Sequence, residues 1–505
     1  MIKRVFECLI ALSMLAGCSS DDATPPATGG MGGGGGAAAG AAPAGMSGGA
    51  SGAGGQAGNG GSGGGAPSAG VGGQAGSDGG LSGSGGAPGG DASIPEPQEP
   101  FEGEGDPWVD PAPKATCGSG DMPETGAQGL GGDVRCNLTV HGMANAPHFL
   151  SMAWYGDCAY VNGNDFTTVL DVSDSANPVM TDTLDTPAMM SNWETMKVNE
   201  QSGLLAGYQS NGPIVDVYSV SEDCKHPEFL RSYEVGGIGH AGQFSDDGTI
   251  YYASSLYTGE VFALDVTLPL PETPRIIASM YGGKGAHDLF VSKGGTRGYF
   301  AYSNLTSGIG IGIVAIIDLS AVQGREPNAQ GTVVHEWQWD DGNISQYPIQ
   351  VTYRGRDYLV ISDELGSGAC DDPNKPPYGY ARIFDIHEET NPILVSKIKT
   401  EALNPCEGAP PVGGGFGVGT HYCNVDRLED PRLLACGFWD GGVRVFDIRN
   451  PWRPKEIAYF DTAEANVPGL VRILVEEREL WVATIPSTFY VLKFADGVLD
   501  EIAAE

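Results

Sequence analysis

Short apolar runs recur along the C-terminal three quarters of the chain, and nearly all end on an acidic residue and a turn. The clearest is Thr168-Val169-Leu170-Asp171-Val172, which leads through Ser173-Asp174-Ser175-Ala176-Asn177 to Pro178. A run that is apolar at every position predicts a strand covered on both faces, not one that alternates toward water. The aspartate can accept hydrogen bonds from backbone N–H groups just ahead of it, which ends the strand and opens a turn. The proline then fixes φ where no ladder donor is needed. The pattern returns at Phe262-Ala263-Leu264-Asp265-Val266, Ala315-Ile316-Ile317-Asp318-Leu319, Arg382-Ile383-Phe384-Asp385-Ile386 and Arg444-Val445-Phe446-Asp447-Ile448. Val215-Asp216-Val217-Tyr218 is a weaker copy, and Phe489-Tyr490-Val491-Leu492-Lys493 lacks both the aspartate and the proline. Repeats of roughly 40–50 residues with several short strands each are the mark of propeller blades. No long helical period interrupts them. The expectation is an all-β fold: a seven-bladed β-propeller with four-stranded blades over residues 138–497.

In the third unit the four strands are expected at 241–245, 250–254, 261–266 and 275–280. Asp246-Asp247-Gly248 between the first two is a strong hairpin signal. The ring must also close. Residues 138–141 read as a fourth strand without a blade of its own and are expected beside 489–494, with 498–503 as the competing segment.

The apolar-Asp-Val-Ser-Asp-x-x-Asn-Pro pattern resembles the LVIVD repeat of bacterial and archaeal surface proteins. The match is close at residues 169–178, 383–392 and 443–454. The resemblance implies a β-propeller on the cell surface and carries over no catalytic residue.

Ahead of the repeats the chain changes character. Lys3 and Arg4 precede a short apolar stretch that ends in Leu15-Ala16-Gly17-Cys18. This is too short to span a bilayer and reads as a signal peptide over residues 1–17. Its end resembles the lipobox of bacterial lipoproteins, which implies acyl chains, palmitate among them, on Cys18. An ordinary secretory signal cut elsewhere is the alternative. Several chains on one cysteine anchor far more firmly than one. Ser19 is not an acidic retention residue, and by resemblance this favours the outer membrane of the cell envelope. Residues 18–110 are Gly-, Ala- and Ser-rich with almost no large apolar side chains, so they cannot offset the entropy of ordering. About 90 such residues make a tether with a reach on the order of 50 Å. Two Gly-x-Ser-x-Gly matches within it lack the strand and helix that a nucleophile elbow needs.

The formal net charge is −36. That argues against nucleic acid and against docking on anionic lipid other than through the anchor. Eight cysteines remain beyond Cys8 and Cys18, an even number that in an exported chain reads as disulfides. Cys423 and Cys436 flank one tight strand–turn–strand. Cys370 and Cys406 flank the extra length of the fifth unit. Cys117 with Cys136, in a lead-in over 111–137, and Cys158 with Cys224 are left over. None has the spacing of a zinc site.

Candidate chemistry lies where the inner strands begin. Aligned by distance to the next turn, these starts are His148, Thr195 or Glu194, His240, His287, Tyr347, His421 and Pro468. Four of the eight histidines fall at one equivalent position, with Glu194 and Asp288 close by. Histidine is the commonest transition-metal ligand, and a carboxylate could complete a site in the central channel. The alternative is that each imidazole caps its strand start. The selenium-binding, methanethiol-oxidising propellers are a distant comparison: they use channel histidines, but their paired-His motifs are absent here.

The acidic turns at 246–248 and 340–343 lack EF-hand or RTX spacing and read as turn chemistry. Trp337, Trp339, Trp439, Trp452 and Trp481 read as core. The insertion at 365–380 is a candidate recognition loop, and 498–505 is a C-terminal tail. With no Walker, zincin or triad motif, the sequence points to a binding protein rather than an enzyme. It is expected to be a monomer that binds a protein or glycan at the cell surface, with a channel metal, oxidoreductase chemistry included, as the second reading.

Overall fold

The computed structural model describes residues 110–503, except 125–132, 148–149, 164, 256–257, 272–275, 281–284, 304–311, 340, 343, 365–378, 401–418, 440, 463–466, 468 and 486. The signal, Cys18, the linker, His148, Pro468, Cys370, Cys406 and nearly all of the 365–380 insertion fall outside the described residues.

Seven antiparallel sheets form the seven blades. The innermost strands are Met152–Tyr155, Lys197–Asn199, Ala241–Phe244, Gly285–Ser292, Ser345–Tyr353, Thr420–Val425 and Arg472–Leu474. The apolar runs are the third strands of the blades, as at Thr167–Asp171, Glu260–Asp265 and Val443–Asp447. Each is flanked by blades on both faces. In the third blade Phe262 and Leu264 pack toward the second blade, and Val261 and Ala263 toward the fourth. The buried apolar residues form seven clusters, each shared by two neighbouring blades. Among the described residues no blade has a core of its own, so the ring is stable only as a ring.

The repeated aspartates do what the pattern predicts. Asp171, Asp265, Asp318, Asp385 and Asp447 each accept a hydrogen bond from the backbone N–H two residues on, at 2.9–3.1 Å. The acidic turn at 246–248 is likewise internal. Asp247 accepts from Ser245, Thr249 and Gln323, and Gly248 supplies a φ of 68°.

Closure falls to Leu138–Asn145, which pairs antiparallel with Thr488–Phe494 from Leu138↔Phe494 to Asn145↔Thr488. The strand runs four residues beyond the expected 141. The competing segment at 498–503 is no strand: Asp500–Ala503 is a short helix whose Ile502 packs, with Leu499, between the sixth and seventh blades. It is thus more than a loose tail. The lead-in adds a fifth strand, Val134–Cys136, to the sixth blade. Disulfides join Cys117 to Cys136, Cys158 to Cys224, and Cys423 to Cys436, the last directly across its hairpin.

Candidate metal centre

Five consecutive blades, the second to the sixth, each send one ionisable side chain to a common point. They are Glu194, His240, His287, Glu364 and His421. The backbone explains the aim. The inner strands of the fourth, fifth and sixth blades each carry a register shift, between Ala286 and Leu289, Ser345 and Pro348, and Thr420 and Cys423. Successive residues of a regular strand face opposite ways, but a bulge lets two neighbours turn to one side. The pairs His287–Asp288, Gln346–Tyr347 and His421–Tyr422 sit in these shifts, and both members of each bond across the channel. Glu194 follows Trp193, which holds an unusual φ of 40° and sets its ring edge-on to His240. Strain of this kind in a bulky residue is characteristic of functional sites. Glu364 directly follows the second strand of the fifth blade, Arg356–Asp363, and its N–H donates to the Ile344 carbonyl.

The five groups are almost wholly buried, none more than 6% exposed. His240 Nε2 lies 3.2 Å from His287 Nε2 and 3.4 Å from Glu194 Oε2. His287 Nε2 is 3.2 Å from Glu364 Oε2. His421 Nε2 is 3.0 Å from Glu194 Oε1 and 3.7 Å from Glu364 Oε1. One ligand atom each from Glu194, His240 and His287 lie within 4.8 Å of one another. Two imidazole nitrogens in contact can share only one proton, so at least one lone pair points into the cluster.

Burial and the neighbouring His287 push His240 down to about 4, so it is neutral at pH 7. His287 goes the other way: burial lowers it, but the bond to Glu364 and the surrounding carboxylates outweigh burial and raise it. Burial alone would raise Glu194, but His240, His421 and His287 hold its carboxyl well below the usual range.

A second layer supports the first. Gln346 Nε2 donates to Glu194 Oε2 at 3.0 Å. Tyr422 donates to Asp288 at 2.6 Å and lies 3.3 Å from Glu194. Lys197 donates to the Glu194 carbonyl, sits 3.7 Å from Asp288, and lies over the rings of Tyr347 and Tyr422. Burial, set against Lys197 and Tyr422, pushes Asp288 up to about 6.

The structure therefore joins four of the six candidates read from the sequence, Glu194, His240, His287 and His421, and places Asp288 one layer away. Of the two alternatives in the second blade it selects Glu194, because Thr195 bonds the Asn192 and Tyr208 carbonyls instead. Tyr347 stands beside the site and bonds Gln243. Glu364, Gln346, Lys197 and Tyr422 were missed. Trp452 and Trp481 are core, and Trp337 and Trp339 pack on Phe384. Trp439 differs, setting its ring 4.6 Å from that of His421.

No family model and no curated protein matches the chain. Among solved structures it is similar to Kuenenia stuttgartiensis hydrazine synthase, at 12% identity and a TM-score of 0.49, over 68% of this chain and 94% of that one. It is also similar to the β-propeller domain of Myceliophteria thermophila Cps50 (Swd1), at 8% identity and a TM-score of 0.49, over 71% of this chain and 100% of that one.

Proposed function

We propose that this protein is a metal-binding β-propeller whose channel cluster holds a transition metal, and that it is tethered to the cell envelope by lipid on Cys18. One observation carries the first half: the spacing of the donor atoms. Ligands bonded at about 2.1 Å stand ~3.0 Å apart at adjacent octahedral positions and ~3.4 Å apart in a tetrahedron. The contacts at 3.0, 3.2, 3.2 and 3.4 Å fall in that band. Imidazole with carboxylate suits zinc, copper, iron, nickel or manganese better than calcium, which takes oxygen alone. Elemental analysis of purified protein tests the reading. A metal held stoichiometrically by wild type, and lost in His240→Ala and His287→Ala variants that still melt cooperatively, is the expected result. Wild type with no more metal than those variants would remove the proposal.

The tether rests on the sequence: the lipobox-like end, the long Gly-rich linker and the resemblance to LVIVD surface proteins agree with one another. A surface role in binding protein or glycan is the second reading. It draws support from the sixth blade, whose outer edge takes up Val134–Cys136 as an extra strand. Outer strands elsewhere expose Val179, Met180, Phe229 and Ile393. A peptide adding to such an edge is a common mode of recognition. Both ideas meet in one variant. Cys18→Ala is expected to leave the membrane fraction. If it nonetheless stays on washed cells, a surface partner holds it; if the unsubstituted protein is not in the membrane fraction at all, the tether is wrong.

A further inference from the structure

We infer that the channel cluster is built for two metal ions joined by carboxylate bridges. The inference rests on the metal-binding reading above and deepens it. The argument comes from how the two glutamates divide their oxygens. Glu194 turns Oε1 to His421 at 3.0 Å and Oε2 to His240 at 3.4 Å. Glu364 divides the same way, Oε1 toward His421 at 3.7 Å and Oε2 toward His287 at 3.2 Å. The donors thus fall into two sets. His240, His287 and the two Oε2 atoms form one, and His421 with the two Oε1 atoms forms the other. A carboxylate that offers one oxygen to each of two centres is a bridging ligand, and two-metal sites hold their ions about 3.5–4 Å apart.

The fold prepares this division. The two glutamates come from the second and fifth blades, with His240 and His287 on the two blades between them. His421 comes from the sixth, beyond Glu364. The ring of blades therefore sets a pair of imidazoles at one end of the carboxylates and a single imidazole at the other. Gln346 bonded to Glu194 and the Ile344 carbonyl bonded to the Glu364 backbone fix the bridges from outside. The two sites are unequal. The first has four donors among the described residues: Glu194, His240 and His287 place ligand atoms within 4.8 Å of one another, and Glu364 joins through its contact with His287 at 3.2 Å. The second has three, so its ion keeps more open positions and is held more weakly. Two divalent cations against two carboxylates leave net positive charge in a buried place. The bridged pair would attract an anionic oxygen ligand, such as hydroxide or an oxyanion, at those open positions.

Cobalt(II) is the probe. Chelator-treated wild-type protein is titrated with cobalt(II), followed by visible absorption, with bound metal counted by elemental analysis after desalting. Two equivalents are expected, the second about ten-fold weaker or more, and His421→Ala should keep the first and lose the second. One equivalent in wild type would overturn the bridged pair and leave the metal-binding reading intact. No bound cobalt would overturn both. Two equivalents in a folded His421→Ala protein would overturn the assignment of the second ion. The wild-type count decides the main point even if the variant does not fold.

Discussion

A chain that starts at Ala146 is expected not to fold. The deleted segment includes Leu138–Asn145, the outer strand of the seventh blade, which joins the N-terminal part of the chain to Thr488–Phe494. Without it the last strand becomes a long open edge. Leu138, fully buried between the sixth and seventh blades, is lost outright. So is Asn137, whose side chain donates to Ile457 O at 2.8 Å and whose carbonyl accepts from Ala495. A buried leucine contributes ~2 kcal/mol and each ladder hydrogen bond ~1 kcal/mol. Together they are comparable to the whole 5–15 kcal/mol or so that holds an ordinary domain folded. The loss also spreads, because the seventh blade shares its cores with the sixth and the first. By contrast, removing residues 1–109 takes away only the signal segment and the Gly-rich linker, neither of which belongs to a blade, and should leave the melt unchanged. Soluble expression and far-UV circular dichroism of the two truncations decide the matter. A cooperative melt near the wild-type temperature for the chain starting at 146 would show that closure is not what holds the ring.

That strand also shows what a sequence can and cannot reveal. The third strands were legible because blades cover both their faces, so most of their positions are apolar. The turn aspartates were legible because their bond to the N–H two residues on is a local matter. An outer strand has a solvent face, and in Leu138–Asn145 only Leu138 and Gly142 are buried. No apolar signal remained to mark its end, hence the four-residue shortfall. The site divides the same way. His240, His287 and His421 could be aligned because the blade repeats and they sit at its equivalent position. Glu364 could not, since it lies just past the end of a second strand and not at the inner-strand start used for the alignment. The bulges were invisible too. A register shift depends on the partner strand, so nothing in Gln346-Tyr347 or His421-Tyr422 alone announces that both side chains face the channel. Trp439 read as core because an indole beside a strand usually is, and only the three-dimensional packing sets it against His421.

Arg382→Ala is expected to cost about 3–5 kcal/mol of stability, because it strands a buried carboxylate. Arg382 is itself fully buried. It donates twice to Asp363 Oδ2, at 2.7 and 2.9 Å, once to Asp341 Oδ1 at 2.8 Å, and lies over the rings of Tyr380 and Trp339. Burial pushes Asp363 up to about 6 even with this guanidinium beside it. Without the arginine the folded state holds that proton to still higher pH, while the unfolded chain releases it near 3.8. A group raised in the folded state makes stability fall as pH rises, so the variant should suffer more at pH 8 than at pH 5. Asp341 acts with the opposite sign. Burial would raise it, but Arg382, Lys397 and Tyr380 hold it down at about 2, so its contribution is present above pH ~4 and fades as pH falls toward 2. Removing Arg382 should flatten that acid limb, with Lys397 keeping part of it. Arg382→Lys should rescue poorly, because an ammonium cannot reproduce the fork. Asp363 is also the chain neighbour of Glu364, so a shift in its strand end should move this proposed ligand and weaken metal binding by about ten-fold or more, as outer-partner losses at metal sites do. Urea midpoints at the two pH values, read beside cobalt(II) affinity, test both effects at once. An Arg382→Ala protein that unfolds at the wild-type midpoint at pH 8, and binds cobalt as tightly, would show that neither the strand end nor the site depends on this arginine.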